Sequence, residues 1–154
     1  MMSTLCHAFG LKEGRTRKVF RILDHSAIYV LIAGTYTPFC LSAIGGTEGY
    51  ILLAVQWTLA AIGIAFRAVF YDRFTAVHVT IYIAMGWMVA FFVKSLSAVI
   101  PQTGMVLLIL GGVFYTLGVV FYAIRMFKYH HMVWHICVML GTACHFFLIY
   151  LYVL

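Results

Sequence analysis

His131-Met132-Val133-Trp134-His135 opens a final apolar run that carries no Lys, Arg, Asp or Glu and ends at Leu154. As a helix, that run is long enough to cross the ~30 Å hydrocarbon core of a bilayer. Positions 131 and 135 are about 400° apart in rotation, so the two imidazoles share one face, one turn apart. Polar rings at the mouth of a spanning helix are costly to bury unless something holds them. Hydrogen bonding to neighbouring helices is one way to hold them. Half of a metal or cofactor site is the other, and the spacing alone favours neither.

The rest of the chain has the same character. It is 65% hydrophobic and 9% charged over 154 residues, with a mean hydropathy of +1.05, where soluble domains are roughly a quarter charged. The expected fold is all-α, a polytopic bundle of membrane helices forming one domain over residues 1–154. The formal charge of +6 does not call for nucleic acid. The basic residues sit in short connections between apolar runs, where they act as orientation signals. Cys6, Cys40, Cys137 and Cys144 show no CxxC spacing and read as small packing residues rather than a disulfide framework. Cys137 lies about 200° round the helix from His135 and cannot readily share a ligand with it.

Met1 to Gly10 is apolar but too short to span and has no signal-peptide cleavage pattern. It reads as the tail of a helix whose beginning is missing. A basic segment follows, containing Lys12, Arg15, Arg17, Lys18 and Arg21, and then Asp24 and His25. Apolar spans are expected over about Ser26–Ile44, with Pro38 inside, then Tyr50–Phe66, Phe74–Val93, Gly104–Ile124, and from His131 onward. Gly45-Gly46-Thr47-Glu48-Gly49 reads as a turn, and Lys94 to Thr103, containing Pro101, as a loop. That makes five full spans and a stub.

Alternate connections divide the basic residues unevenly. The segment before the first full span and the links holding Arg67, Arg73, Arg125 and Lys128 carry nearly all of them. The other side has only Lys94. The basic side is expected to be cytoplasmic, with the C-terminus on the outer side of the membrane. His7, Asp24, His25, His130, His131 and His135 then meet at one membrane depth, delivered by three far-separated segments, which favours a ligand site. Ser3 and His7 repeat the four-residue spacing. Asp24 abuts the start of a span, where a helix N-cap is the plain alternative to a functional role.

These residues carry a resemblance. Ser3-xxx-His7, Arg21-Ile22-Leu23-Asp24-His25-Ser26-Ala27-Ile28-Tyr29 running into Gly34-Thr35-Tyr36-Thr37-Pro38-Phe39, Met85-Gly86-Trp87, and His131-xxx-His135 with Cys144-His145-Phe146 together resemble the bacterial hemolysin III family. That family belongs to the progestin and adipoQ receptor group of seven-span membrane proteins. The likeness covers essentially the whole chain. Family members usually have a further N-terminal span and most of a second, so the chain resembles a member truncated at its N-terminus.

The resemblance implies a zinc ion near the cytoplasmic face. By motif, His7, His131 and His135 carry over as its ligands, Asp24 as the aspartate that holds the metal-bound water, and Ser3 as the motif serine near the site. Related receptors and alkaline ceramidases are regarded as metal-dependent hydrolases of lipid amides. The implied localisation is the bacterial inner (plasma) membrane, with membrane lipids as partners and a lipid amide as substrate. Three imidazoles leave zinc one open position for water, as catalytic sites do. Asp24 suits the general base, and Ser3 a hydrogen bond to a developing oxyanion.

Two other functions compete. A receptor, regulator or cytolytic protein would hold a structural zinc. A membrane cytochrome would hold haem between opposed histidines, a poor match for two rings one turn apart on one helix. Of the remaining histidines, His25 and His130 read as interfacial and His145 as a hydrogen-bonded packing residue. His78 has no partner visible in the sequence.

Overall fold

The computed structural model describes residues 15–70, 74–124 and 129–153, apart from the side chains of residues 15–17, 21, 75, 123, 124 and 131. Among the described residues every regular element is helical. They are α1 (Arg15–Pro38), a π-helical turn (Phe39–Ile44), α2 (Gly46–Phe70), α3 (Thr75–Trp87), a 3-10 segment (Met88–Phe92), α4 (Val93–Val99), α5 (Gln102–Ile124) and α6 (His130–Tyr152). Grouped as continuous rods, they give five helices long and apolar enough to cross a membrane. Short connections make successive rods alternate in direction. The starts of α1, α3 and α6 therefore share one end of the bundle with the finish of α2 and of α5.

The expected spans are all present, but the rods are longer and the breaks shorter. α1 starts at Arg15, well before Ser26, helped by Arg15, Arg17, Lys18 and Arg21, which are good helix formers. The glycine turn shrinks to Gly45 and Gly46, at φ +64° and +55°, and Gly49 is already helical. The expected loop from Lys94 is largely helix, and only Ile100 and Pro101 leave it. Pro38 has no N–H to offer the preceding turn. The chain widens there into the π turn, which closes with Gly45 N–H donating to Cys40 O at 3.1 Å.

α1 and α2 pack along matched stripes. Ser26, Tyr29, Ala33 and Tyr36 are buried on α1, and Cys40 on the π turn that continues it. They face Gly49, Leu52, Gln56, Ala60, Gly63 and Arg67 on α2. The close approach depends on glycine at two levels: a Cβ on Gly49 would strike Cys40 O, and one on Gly63 would strike the Tyr29 ring.

The third rod is broken at mid-span, and its neighbours supply the missing backbone partners. The Tyr36 hydroxyl donates to Gly86 O at 2.7 Å and accepts from Val89 N–H at 2.9 Å. Gln56 Nε2 donates to Met85 O at 2.9 Å. Backbone that leaves the helix at this depth needs such partners, because lipid offers none.

α5 and α6 form the most extensive pair in the bundle. Small residues let them meet closely. Gly104, Gly111 and Gly118, seven apart on α5, sit against Leu148, His145 and Cys137 of α6, and Gly141 meets Gly111 O. Tyr115 and Thr142 hydroxyls lie 2.8 Å apart. Between membrane helices this kind of contact replaces the hydrophobic drive that water would supply. Large apolar side chains such as Phe91, Val69 and Met139 point outward, 87%, 73% and 70% exposed. In water such a surface would aggregate. Against lipid it is the expected exterior.

Candidate functional site

Asp24 lies more than two turns inside α1, so it is not the helix N-cap considered above. It is only partly exposed. Aspartate is a poor helix former away from a cap, so its place in mid-helix is not explained by local structure. The next residue's carbonyl is held from outside the helix: Tyr82 of α3 donates its hydroxyl hydrogen to His25 O at 2.9 Å.

His135 lies in the second turn of α6, partly buried. Its ring is 4.4 Å from the Trp134 ring, and Trp134 lies 5.4 Å from Tyr122 of α5. His131 occupies the first turn of the same helix, and its side chain is outside the described set. Ser3 and His7 also lie outside the described residues. Asp24 and His135 thus share one end of the bundle but sit on rods with different main partners. α1 packs on α2 and α3, α6 chiefly on α5. Among the described residues no group of three or more His, Cys, Asp or Glu comes together to hold a metal.

The buried polar residues deepest in this end of the bundle are ones the sequence did not single out as a group. His78, in the first turn of α3, is 1% exposed and Arg67 of α2 equally so. His78 Nδ1 lies 2.8 Å from the Tyr29 hydroxyl of α1, and the Tyr29 and Tyr82 rings are 4.4 Å apart. The available signal was Arg67, four residues after Gly63 and seven after Ala60. It is a charged residue on the buried stripe of a spanning helix, which is costly and seldom idle. The partner of His78 is 49 residues away and has no local trace. His145 is the packing residue expected, its Nε2 3.4 Å from Leu108 O and its ring beside Tyr115. Cys40 and Cys137 are buried free thiols and Cys144 a partly buried one.

A family model described as haemolysin-III related matches residues 1–146. The chain belongs to the haemolysin-III family. It is 43% identical over 152 residues to a hemolysin-3 homolog of Bacillus subtilis, covering 99% of this chain and 70% of that protein. With hemolysin-3 of Bacillus cereus it shares 42% identity over 154 residues, covering all of this chain and 69% of the relative. A more distant likeness, 28% over 157 residues, is to the human monocyte to macrophage differentiation factor, with 99% of this chain and 64% of that protein covered. No solved structure matches. Ser3, His7, Asp24, His131 and His135 all fall within the matched part of the family model. Family membership and the five apolar rods make this haemolysin-III protein an integral membrane protein.

Proposed function

We propose that this haemolysin-III protein is a zinc-dependent hydrolase of lipid amides, working at the cytoplasmic face of a bacterial inner membrane, with its C-terminus on the outer side. The observation that carries the reading is Asp24, a partly buried carboxylate in mid-helix with no capping task. It lies at the same end of the bundle as the start of α6, which bears the His131–His135 pair. The donor chemistry fits zinc: three imidazoles, from His7, His131 and His135, make a neutral ligand set that leaves one position open. Bound there, zinc would supply the Lewis acidity that makes water nucleophilic near neutral pH. Asp24 takes the proton from the attacking water and passes it to the leaving amine. Ser3 donates a hydrogen bond to the carbonyl oxygen as charge gathers on it. The apolar exterior admits a substrate with long acyl chains from within the bilayer.

Metal content of the purified protein tests the ligand set. Wild type is expected to carry zinc, and His7→Ala, His131→Ala and His135→Ala each to lose most of it. Zinc-free wild type, or full zinc in all three variants, defeats the reading. The name of the Bacillus cereus relative favours one competitor, a cytolytic membrane protein in which zinc is structural. That reading predicts zinc loss with no lipid amide cleaved by wild type.

A further inference from the structure

We propose that Glu48 and Lys94 grip the headgroup of a phosphatidylethanolamine-type lipid, in a cleft at the end of the bundle opposite Asp24. The cleft holds about 460 Å³ and is lined by Glu48, Ile51, Phe91, Phe92, Lys94 and Ser95. It opens between the first turns of α2 and the junction of the 3-10 segment with α4. That is the size of a small-molecule site, larger than a single ion needs.

Depth in the membrane decides what can reach it. Glu48 is in the first turn of α2. Lys94 is eighteen residues beyond Ala76, where its rod begins, roughly 27 Å by helical rise. That places it near the far edge of a ~30 Å hydrocarbon core. Both charges therefore stand at headgroup level, where neither has to be buried among lipid tails. The apolar lining lies deeper. Ile51 is one turn further into the membrane than Glu48 on α2, and Phe91 one turn further in than Lys94 on its rod. They are 59% and 87% exposed. Charge above and apolar surface below is the layout of a phospholipid, whose headgroup lies over its glycerol and first acyl carbons.

The signs select the headgroup. A carboxylate and an ammonium line one cleft, yet among the described residues neither is closed into an ion pair. A zwitterion answers both. Its ammonium donates to Glu48, and its phosphate accepts from Lys94 and from the Ser95 hydroxyl. An anionic lipid such as phosphatidylglycerol satisfies Lys94 alone and is repelled by Glu48. A choline headgroup has no N–H to give Glu48, and is held best inside a cage of aromatic faces. Phe91 and Phe92 are neighbours on a 3-10 segment, about 120° apart, and cannot close such a cage together. The inference does not depend on zinc or on hydrolysis.

Dioctanoyl phosphatidylethanolamine is the probe. It is titrated into the full chain, purified in detergent, while tryptophan fluorescence reports thermal unfolding. The glycerol and choline lipids of the same chain length are the comparisons, and soluble phosphoethanolamine tests the headgroup alone. The unfolding temperature is expected to rise and level off as the cleft fills. The ethanolamine lipid should bind about tenfold or more tighter than the other two, as for a gained hydrogen bond between charged groups. Glu48→Gln should erase the preference for ethanolamine over glycerol, and Lys94→Gln should weaken both lipids about tenfold. Both side chains are exposed, so each variant should keep the wild-type midpoint before lipid is added. The proposal is overturned by a wild type that shows no saturable rise or treats the three lipids alike. It is overturned equally by soluble phosphoethanolamine matching the lipid, or by Glu48→Gln keeping the wild-type preference.

Discussion

Tyr82 and His25 are joined by a hydrogen bond that no helix requires: the tyrosine hydroxyl donates to the histidine's main-chain carbonyl across 2.9 Å. The bond fastens α3 to the turn of α1 that carries Asp24. A second hydroxyl bond, between Tyr29 and His78, joins the same two helices one turn further along α1 and one turn nearer the start of α3.

Replacing Tyr82 with Phe keeps the ring against Tyr29 and removes only the hydroxyl. The expected loss is about 1 kcal/mol of stability, typical of one hydrogen bond, seen as a lower unfolding midpoint in detergent. An unchanged midpoint would show that the His25 carbonyl gains nothing from the contact.

Asp24→Asn separates a base from a ligand. Under the proposed mechanism the variant keeps its zinc and loses at least roughly a hundredfold in rate, the usual share of a general base. The measurements are metal content and fatty-acid release from a panel of lipid amides. Loss of zinc would move Asp24 into the ligand set, and full activity would remove it from the reaction.

Two adjacent glycines give a sharper packing test. An alanine methyl at Gly111 would run into the His145 ring, whereas at Gly112 nothing lies within 4 Å. Gly111→Ala should cost about 1–3 kcal/mol, as overpacking does, and Gly112→Ala should be neutral or slightly stabilising. Equal thermal midpoints for the pair would contradict the α5–α6 interface described.

Tyr36→Phe removes both bonds that bridge the break in the third rod, leaving Gly86 O and Val89 N–H without the hydroxyl. Unsatisfied backbone groups inside the bundle cost about 1–3 kcal/mol each. The variant should unfold earlier, and amide exchange should accelerate around Met88–Phe92 before it does in α2.

Topology follows from charge. Reporter fusions in the link holding Asp72 and Arg73 should report the cytoplasm, and fusions after Leu154 the outer side. The two on one side would displace the proposed site from the cytoplasmic face.

The spans were legible because each is a long uncharged run, and the bilayer sets their minimum length. Their ends were not. Lys18 and Lys94 read as connection residues, yet both continue helices, since lysine is a good helix former and its stem can reach the interface. Asp24 was recognisable as unusual, but its capping reading failed because α1 starts nine residues earlier. The junction of Tyr29, Arg67 and His78 was hidden for a different reason. It is made by three helices, and residues 49 apart leave no periodic mark. Only Arg67, the one charged residue on the buried stripe of α2, pointed to it.

The seven-residue spacing of Gly104, Gly111 and Gly118 has a mechanical consequence. Three evenly spaced contacts pin α6 to α5 over most of its length, which leaves the last helix little freedom to slide or roll alone. His135 therefore travels with a two-helix strut. That strut is held to the rest of the bundle by the Trp87–Thr116 bond to α3 and by Leu108 and Leu148, which pack against Phe39, Ala43 and Leu96.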